Sequence, residues 1–435
     1  MMPYRIFAYS LVIACSLQAN PQNAPNPAEH SLTLIKAARL LDVRKGAYIE
    51  NAAILVDGER IKEVGLASDI QAHAPKVAKI IDLGSATVLP GLIDCHTHMM
   101  ARFDDTPDGY ILGLATKSQA FRALEGAANA RATLLAGFTS TRDVENEGSG
   151  YADVALRDAI NQGLVEGPRM QVATRGIVAV GQYYPFGVST DLADFPRGAQ
   201  MVSGVEEARR AVREQIGNGA DLIKVYADWE TPTLTIEELT VIVQEAHKLG
   251  HKVAAHATTP QGIKNAVNAG VDSIEHGHRA DHEAIDMMKA RGVFLVPTIA
   301  VVDADIAKLG TLSPDRQQHV NKFLAGIQDE IQYAMSQNVK IAMGFDASEK
   351  GRHGKNADEL IAMAKRGMPN IEVIRAATIN GAELMSWQDN VGAVEPGKYA
   401  DLIAVDGDPL KDISLMKNIR FVMKDGEVVK DISHP

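Results

Sequence analysis

The sequence predicts an α/β fold, a distorted (β/α)8 TIM barrel with a small β-sandwich domain that is built from both ends of the chain. Three observations support this prediction. Apolar, strand-like runs alternate with amphipathic segments through the middle of the chain, both ends hold short alternating runs divided by turns, and polar side chains stand where the central runs end. The 435 residues are enough for one large barrel and a small accessory domain.

Residues 1–19 differ in character from the rest. A single arginine precedes the apolar run IFAYSLVIACSLQA, which is too short to span a bilayer comfortably and is typical of a secretory signal peptide. The chain at 17–19 loosely resembles a cleavage site, whereas VIAC at 12–15 resembles a bacterial lipobox that would leave a lipid anchor on Cys15. We expect an exported protein, periplasmic or lipid-anchored in the bacterial cell envelope, with residues 20–30 as a Pro- and Asn-rich linker. An ordinary N-terminal helix is the alternative.

The two ends of the remaining chain, 31–90 and 391–435, are rich in predicted strands. Each contains an Asp-Gly pair between apolar runs, at Asp57 in the first and Asp425 in the second, and this pattern is typical of a hairpin turn. We expect the two segments to combine into one β-sandwich domain, which leaves 91–390 for the barrel.

The barrel segment contains eight strand-like runs with helical segments between them. The predicted strands are 88–98, 138–143, 169–174, 222–227, 252–257, 272–277, 293–298 and 339–346. Three amphipathic segments end at a glycine, Gly137, Gly250 or Gly292, which is a common signal for the end of a helix. The Gly-rich stretch 175–204 has no clear helical pattern and is predicted to be a long active-site loop.

Six side chains at the ends of these runs fit one metal site. His96 and His98 stand two residues apart on the first strand, so their side chains share a face and both imidazoles can reach one ion. Such a pair is weak support for a metal by itself, because packing or surface histidines give the same spacing. It gains weight here because the C-terminal ends of barrel strands surround one pocket.

The other four side chains come from later strands. Lys224 is the only charged group in its apolar run, and a buried lysine loses its proton readily, after which its amine can take up carbon dioxide to form a carbamate; a lysine paired with a carboxylate is the alternative. His256 and His276 end the next two strands. Either alone is more often a core histidine, but their placement on consecutive strands favours metal ligands. Asp346 ends the last strand and can both bind a metal and accept a proton.

The motifs PGLIDCHTH, GFTSTRDV, IKVYAD, AAHAT, SIEHG and GFDA resemble, in this order, those of the amidohydrolase superfamily, the metal-dependent hydrolases built on a distorted (β/α)8 barrel. The resemblance covers essentially the whole chain after the signal. It is strongest to the binuclear Xaa-Pro and Xaa-Arg dipeptidases, a group that also contains ochratoxinase-like amide hydrolases. The resemblance implies two divalent ions, zinc by default, with these ligands: His96, His98 and Asp346 on one ion, His256 and His276 on the other, and N6-carboxylysine at Lys224 between them.

The resemblance implies hydrolysis of an amide bond. The metals would lower the pKa of a bridging water and polarise the scissile carbonyl. Asp346 would take a proton from this water and pass it to the leaving amine. Tyr226 shares a strand face with Lys224 and is a candidate for a hydrogen bond to the carbonyl oxygen or to a substrate carboxylate, packing being the alternative. His353 lies in a loop motif of the family and is a candidate for contact with the substrate or for support of the ligands.

Three further features have both a functional and a structural interpretation. Arg142 and Asp143 end the second strand and are predicted to pair with each other in a structural role. The aromatic tract QYYPFG at 182–187, with Trp229, would cover a hydrophobic acyl group or simply pack a loop. Arg279 is a weak candidate for binding a substrate carboxylate.

Composition excludes some classes of function. A net charge of −11 argues against binding nucleic acid or an anionic membrane by bulk attraction. Cys95 is the only cysteine besides Cys15, so no intramolecular disulfide is expected, and we predict that it packs in the core. The expected partners are a small-molecule amide or dipeptide substrate and further copies of the chain in a homo-oligomer.

Two other functions remain open. The same scaffold supports deaminases and cyclic-amide hydrolases of the imidazolonepropionase-like kind, but a single-metal deaminase would not need Lys224. A binding protein that kept the fold and lost catalysis is the second alternative, which the presence of all six expected ligands disfavours. The leading prediction is an exported binuclear metallo-amidohydrolase, similar to a dipeptidase or carboxypeptidase, that cleaves a dipeptide or an N-acyl amino acid.

Overall fold

The computed structural model describes residues 32–106, 108–183, 195–310 and 312–432. The predicted signal peptide, the lipobox cysteine, the linker and most of the aromatic tract lie outside these ranges. Within them, no helix is both long enough and apolar enough to cross a membrane.

Strands and helices alternate through the centre of the chain, and strands predominate at both ends. The strands are β1 (Leu32–Asp42), β2 (Ala47–Asp57), β3 (Arg60–Leu66), β4 (Lys79–Asp82), β5 (Thr87–Pro90), β6 (Leu92–Thr97), β7 (Phe138–Asp143), β8 (Arg169–Val172), β9 (Gly176–Ala179), β10 (Ala199–Val202), β11 (Leu222–Tyr226), β12 (Lys252–Ala257), β13 (Ser273–His276), β14 (Phe294–Val296), β15 (Leu402–Val405), β16 (Phe421–Lys424) and β17 (Glu427–Asp431). The helices are α1 (Ala67–His73), α2 (Gly109–Thr116), α3 (Gln119–Leu135), α4 (Ala152–Asn161), α5 (Val205–Gly217), α6 (Ile236–Lys248), α7 (Pro260–Ala269), α8 (His282–Arg291), α9 (Ile299–Lys308), α10 (Pro314–Ser336), α11 (Ala357–Lys365), α12 (Asn370–Ala376) and α13 (Ile379–Leu384).

Strands from both ends of the chain form one mixed sheet. Its order is β17-β16-β15-β5-β1-β2-β3, and β4 pairs with β1. The edge strand β3 pairs with the segment that leads into β15. Ile61 N donates to Lys398 O at 2.9 Å, and Gly397 N donates to Ile61 O at 2.8 Å. The sheet therefore curls around an apolar core of its own, to which Ile54 and Phe421 contribute from opposite ends of the chain. The small β-domain built from both termini is confirmed.

The central strands form a distorted parallel barrel. They lie in two sheets, β6-β7-β8 and β10-β9-β11-β12-β13-β14. Backbone hydrogen bonds connect the two sheets at both gaps: Asp221 N donates to Val172 O at 2.8 Å on one side, and the segment 340–346 lies between β14 and β6 on the other. The predicted α/β class and distorted barrel are confirmed.

The predicted eighth strand, 339–346, is not a regular strand. A single isolated bridge joins Ile341 to β14, and further along the segment Cys95 N donates to Met343 O at 2.8 Å. The segment divides its hydrogen bonds between two neighbours and turns sharply at Asp346, where φ is 59°. A regular ladder with either neighbour therefore does not develop.

Two other predictions of strand and loop were wrong in detail. The run 88–98 is two strands, β5 in the curled sheet and β6 in the barrel, divided at Gly91. A Cβ at Gly91 would lie 2.2 Å from Thr139 Oγ1, so only glycine allows this close passage from one sheet to the other. The predicted loop 175–204 contains β9 and β10, which pair in parallel. Four-residue strands are too short for their periodicity to stand out in the sequence.

Turn and cap signals in the sequence were reliable. The hairpins at Asp57 and Asp425 join β2 to β3 and β16 to β17. Gly137, Gly250 and Gly292 follow α3, α6 and α8 with φ angles of 95°, 84° and 69°, the left-handed conformation that ends a helix.

Strand alternation decides which side chains face the barrel interior. On β11, Ile223 and Val225 belong to the apolar core that the strands share with the surrounding helices. Their neighbours Lys224 and Tyr226 therefore point to the opposite face, into the barrel. On β6, Cys95 is completely buried in a separate apolar cluster, which confirms its predicted packing role.

Candidate metal centre

The first group of predicted ligands meets at the end of β6. His96 and His98 are both buried, and their Nε2 atoms lie 3.7 and 3.2 Å from Asp346 Oδ1. Asp346 is held in place by its own backbone, because its N–H donates to His96 O at 2.8 Å. Burial favours the neutral acid, but the nearby histidines hold the pKa of the Asp346 carboxyl well below its usual value.

His276, at the end of β13, approaches this group. One ligand atom from each of His96, His276 and Asp346 lies within 4.8 Å of the others. The three residues belong to both predicted ligand sets, so the two sets adjoin each other in this pocket, at a spacing that suits divalent ions with ligand bonds of about 2.0–2.2 Å. The donor types, two imidazoles and a carboxylate, also suit such an ion.

His256, at the end of β12, faces His276 across the pocket. The two ring centroids are 4.5 Å apart. Neither ring nitrogen of His256 forms a hydrogen bond within the described ranges, and its Nε2 is shielded from solvent. Burial lowers the pKa of both imidazoles well below the usual value, and the nearby Lys224 lowers them further. A buried, neutral imidazole with unused nitrogens has the form that binds a metal.

Lys224 projects into the same pocket from β11. Its side chain is 1 % exposed, and its amine makes no hydrogen bond or ion pair with any residue that the structure describes. The Nζ atom stands 5.5 Å from the centre of the Tyr226 ring. Burial lowers the pKa of this amine. Burying an amine without a hydrogen-bond partner destabilises a fold less when the amine is neutral, and the neutral amine is the reactive form.

Carboxylates hold the second nitrogen of two of these histidines. His96 Nδ1 lies 2.7 Å from Glu275 Oε2, and His98 Nδ1 lies 3.0 Å from Glu147 Oε1. A carboxylate at Nδ1 keeps the proton on that nitrogen, which leaves the lone pair of Nε2 free for a metal. The contact with Glu275 fixes the tautomer and the orientation of the His96 ring. The contact of His98 with Glu147 lacks hydrogen-bond geometry, and although burial favours the neutral ring, Glu147 and Asp346 raise the pKa of His98 well above its usual value.

The prediction that Arg142 pairs with Asp143 is wrong. Arg142 Nη2 instead lies 2.7 Å from Glu275 Oε1, and its Nε donates to Cys95 O at 2.6 Å. Asp143 Oδ1 accepts from Met99 N at 3.0 Å. Consecutive residues of a strand point to opposite faces, so their side chains cannot meet.

Tyr226 lies in the pocket with its hydroxyl group engaged. The hydroxyl donates to Glu145, which also accepts a hydrogen bond from Tyr183. The Tyr226 ring stacks on Trp229 with 5.0 Å between centroids. In this conformation Tyr226 places its ring beside His256, while its hydroxyl proton is engaged by Glu145.

His353 lies in the loop that follows Asp346 and is buried. Its Nε2 is 3.1 Å from Ala101 O, in the loop after β6, and its Nδ1 has no partner in the described part of the chain. None of its hydrogen bonds there reaches one of the six predicted ligands. Its contact supports the loop that follows His98.

A cavity of about 430 Å³ opens beside His256 and contains two of the predicted mouth residues, Trp229 and Arg279. The Trp229 ring lies 4.5 Å from the His256 ring. Arg279 is not free, because Nη1 lies 3.1 Å from Glu230 and Nη2 donates to Thr258 at 3.2 Å. The remaining lining residues are His278 and Phe323.

Sequence reasoning missed the residues that orient the ligands. Glu275 precedes His276 in the motif SIEHG, and Arg142 stands near the end of the second predicted barrel strand, FTSTRD. A buried charge needs a partner of opposite charge. The presence of Glu275 and Arg142 in two predicted buried strands could therefore have predicted that they pair. Glu145 and Glu147 gave a weaker signal, since acidic residues after a strand are equally common in solvated loops.

Comparisons with known proteins agree with this arrangement. Residues 87–429 match the model of the amidohydrolase family. The chain is 32% identical to ochratoxinase from Aspergillus niger over 455 residues, which cover 96% of this chain and 91% of the relative. It is also similar to the crystal structure of a Xaa-Pro dipeptidase with bound methionine, with a TM-score of 0.81, 34% identity and coverage of 92% and 100% of the two chains. A prolidase complexed with N-methylphosphonate-L-proline gives a TM-score of 0.80, 30% identity and the same coverage.

A barrel with imidazoles, a carboxylate and a buried lysine at the ends of its strands defines a hydrolase with a candidate metal site. This chain belongs to the amidohydrolase family, and it is an enzyme that acts on amide bonds. The resemblance inferred from its motifs is therefore confirmed.

Proposed function

We propose that this enzyme uses two divalent metal ions, by default zinc, to hydrolyse the amide bond of a dipeptide or an N-acyl amino acid. The observation that carries the proposal is the convergence of four imidazoles and one carboxylate on one pocket; three of the imidazoles are buried and that of His256 is partly buried. The same pocket holds the Lys224 amine, which has no hydrogen-bond partner among the described residues. A single ion would leave Lys224 without a purpose in this pocket.

The residues divide into two ligand sets. His96, His98 and Asp346 would hold one ion, and His256 and His276 would hold the other. Lys224 would join them as a carbamate. In that reaction the Nζ atom bonds to the carbon of carbon dioxide and releases a proton, which yields two oxygen ligands.

When bound, the ions supply a water of lowered pKa and a Lewis acid for the scissile carbonyl. Asp346 stays ionised because the nearby histidines offset the effect of its burial and lower its pKa, so it can accept a proton as water adds to the carbonyl carbon. The carbon–nitrogen bond then breaks, and Asp346 returns the proton to the leaving nitrogen. The products are a carboxylate and an amine.

The mouth of the pocket supports a substrate that resembles an amino acid. Trp229 and Phe323 line the cavity with aromatic surface for an apolar side chain or acyl group, and Arg279 supplies a cation for a carboxylate. The solved relatives that hold methionine or a phosphonate derivative of proline have ligands of this size. Tyr226 remains a proposed substrate contact through its ring and oxygen, and His353 a proposed support of the loop.

A panel of substrates tests this proposal. Purified enzyme with Zn²⁺ would be assayed for released amine against dipeptides, N-acyl amino acids and their ester counterparts, and for released ammonia from amino-substituted heterocycles. We expect amine release from the amides. Ammonia release alone would support the deaminase alternative, and metal binding without any turnover would support the binding-protein alternative.

Export, a lipid anchor at Cys15 and a homo-oligomer are further proposals. Mass spectrometry of the protein from its native cell envelope would show the mature N-terminus. A chain that begins near residue 20 would support signal cleavage, and a lipid-modified Cys15 would support the anchor. Sedimentation of the purified protein would give its oligomeric state.

A further inference from the structure

Thr298, the residue before α9, has a backbone conformation that threonine rarely adopts. Its φ and ψ angles are 46° and 50°, in the left-handed region, where a β-branched side chain is crowded. Such a conformation persists only when the surrounding structure imposes it, and it is most often found at functional sites. His276 and Asp346, two of the proposed metal ligands, also have positive φ angles, of 74° and 59°.

The hydroxyl of Thr298 does not cap the helix that follows it, as the hydroxyl of a threonine before a helix usually does. A threonine that begins a helix accepts a hydrogen bond from a backbone N–H of the first turn. Thr298 makes no such bond to α9. Its Oγ1 lies instead 2.7 Å from Nδ1 of His276, and both side chains are buried.

Glu359, from α11, caps α9 in its place. One carboxylate oxygen accepts from Ile299 N at 2.9 Å and the other accepts from Ala300 N at 2.6 Å. Glu359 is completely buried, so water does not compete for these contacts. On the other side of Thr298, Pro297 O lies 2.7 Å from His278 Nε2, and the short segment is thus fixed at both ends.

We propose that Glu359 is a positioning residue for the metal ligand His276: by capping α9 in place of Thr298, it holds Thr298 in the left-handed conformation and frees its hydroxyl to orient the imidazole. The inference rests on the proposed metal-binding role of His276. It adds a residue from a different helix, with no contact to substrate, that controls one of the two ligand sets.

A matched control separates this role from that of an ordinary helix cap. Glu238 is also a buried glutamate whose carboxylate accepts two backbone N–H groups, from Thr235 at 2.8 Å and from Gly204 at 2.6 Å. Its contacts do not lead to any of the six ligands. Glu359→Gln and Glu238→Gln therefore replace one carboxyl oxygen by an amide group in the same kind of double contact.

The experiment measures metal bound per chain against buffered free Zn²⁺, together with the melting temperature of the metal-free protein. For Glu359→Gln and Thr298→Val we expect about 10–100-fold weaker binding of one ion, the usual effect of losing a residue that orients a ligand, with the other ion retained. Thr298→Ser keeps the hydroxyl and should bind both ions as the wild type does. Glu238→Gln should melt at a lower temperature and still bind both ions normally.

Wild-type zinc affinity in Glu359→Gln, with a lower melting temperature like that of Glu238→Gln, would overturn the inference. If Glu359→Gln does not fold, equal zinc affinities in Thr298→Val and Thr298→Ser would overturn it instead. A wild-type protein that takes up no metal would overturn the proposed function. That result concerns the wild type alone, so it is distinct from the variant results that would overturn the inference.

Discussion

Glu275 on β13 lies 2.7 Å from His96 on β6, across the interior of the barrel. The other oxygen of the same carboxylate lies 2.7 Å from Arg142, and all three side chains are buried. The next residue along the chain is His276. The end of β13 therefore supplies one proposed ligand, His276, and orients a ligand of the other set, His96. The two halves of the candidate metal centre are therefore coupled through β13.

Glu275→Gln should weaken both the fold and the first metal site. The amide keeps the shape of the side chain but leaves the buried Arg142 charge without a counter-charge, which typically destabilises a protein by about 3–5 kcal/mol. We expect a lower unfolding free energy and about 10–100-fold weaker zinc binding, measured by denaturant unfolding and metal titration. In the double variant with Arg142→Met, stability should partly return while zinc affinity stays low. Recovery of zinc affinity in the double variant would contradict the orienting role of Glu275.

Asp346→Asn should remove the proton acceptor. The amide cannot take a proton from water, so kcat should fall by about 10²–10⁴-fold at saturating metal and substrate. The measurement is steady-state hydrolysis with metal content determined in parallel. Asp143→Asn is the control, since Asp143 is a buried carboxylate outside the ligand group. A kcat within tenfold of the wild-type value, with metal bound, would show that another group accepts the proton.

Arg279 and Glu230 allow a test of carboxylate recognition. Arg279→Met should raise KM by about 10–100-fold for an N-acyl amino acid, the usual effect of losing a hydrogen bond to a charged group, and leave KM for the corresponding carboxamide unchanged. Glu230→Gln removes the present partner of Arg279 and should lower KM for the carboxylate substrate. Equal changes in KM for the two substrates would show that Arg279 does not bind the carboxylate.

Asp153 should make the stability of the metal-free protein depend on pH. Burial raises its pKa from 3.8 to about 7, although Thr174 N donates to one oxygen at 2.9 Å. The folded protein therefore retains a proton that the unfolded chain has lost, and the resulting stabilisation disappears as pH rises through about 7.

The comparison is between wild type, Asp153→Asn and Asp158→Asn, a half-exposed carboxylate on the same helix. Between pH 5 and pH 8 the melting temperature of Asp153→Asn should rise relative to that of the wild type, by an amount that corresponds to at most about 1.4 kcal/mol per pH unit. Asp158→Asn should show no such trend. A constant difference between Asp153→Asn and wild type would mean that Asp153 is ionised throughout this range.

The barrel was predictable because its strands and helices have strong periodic signals. Apolar runs such as the one around Lys224 are buried on both faces, and glycines such as Gly250 mark helix ends. The segment 339–346 could not be assigned correctly, because its pairing depends on how two other strands are placed beside it. The division at Gly91 depends in the same way on the close approach of Thr139.

The convergence of the six side chains was predictable from one rule, that the ends of barrel strands meet at one pocket, and their binding of metal stays a prediction. The residues that orient the ligands do not follow such a rule. Alternation along β13 places Glu275 on the interior face, but it would turn His276 away from the pocket with Ile274; the positive φ of His276 breaks the pattern and brings both residues to the pocket. Glu359 stands 61 positions beyond Thr298 in the sequence and contacts the first N–H groups of α9. The sequence does not locate the start of a helix to one residue, so this contact could not be predicted.

The most direct test of the account is the number of metal ions per chain in wild type, Lys224→Ala and Lys252→Ala, measured by mass spectrometry after equilibration with Zn²⁺ and bicarbonate. Lys252 is the matched control, a half-buried lysine on the neighbouring strand whose amine donates to Leu384 O at 2.8 Å, away from the ligand group. We expect two ions in the wild type and in Lys252→Ala, and at most one in Lys224→Ala. One ion in all three proteins, or two in Lys224→Ala, would contradict a lysine-bridged pair of metals.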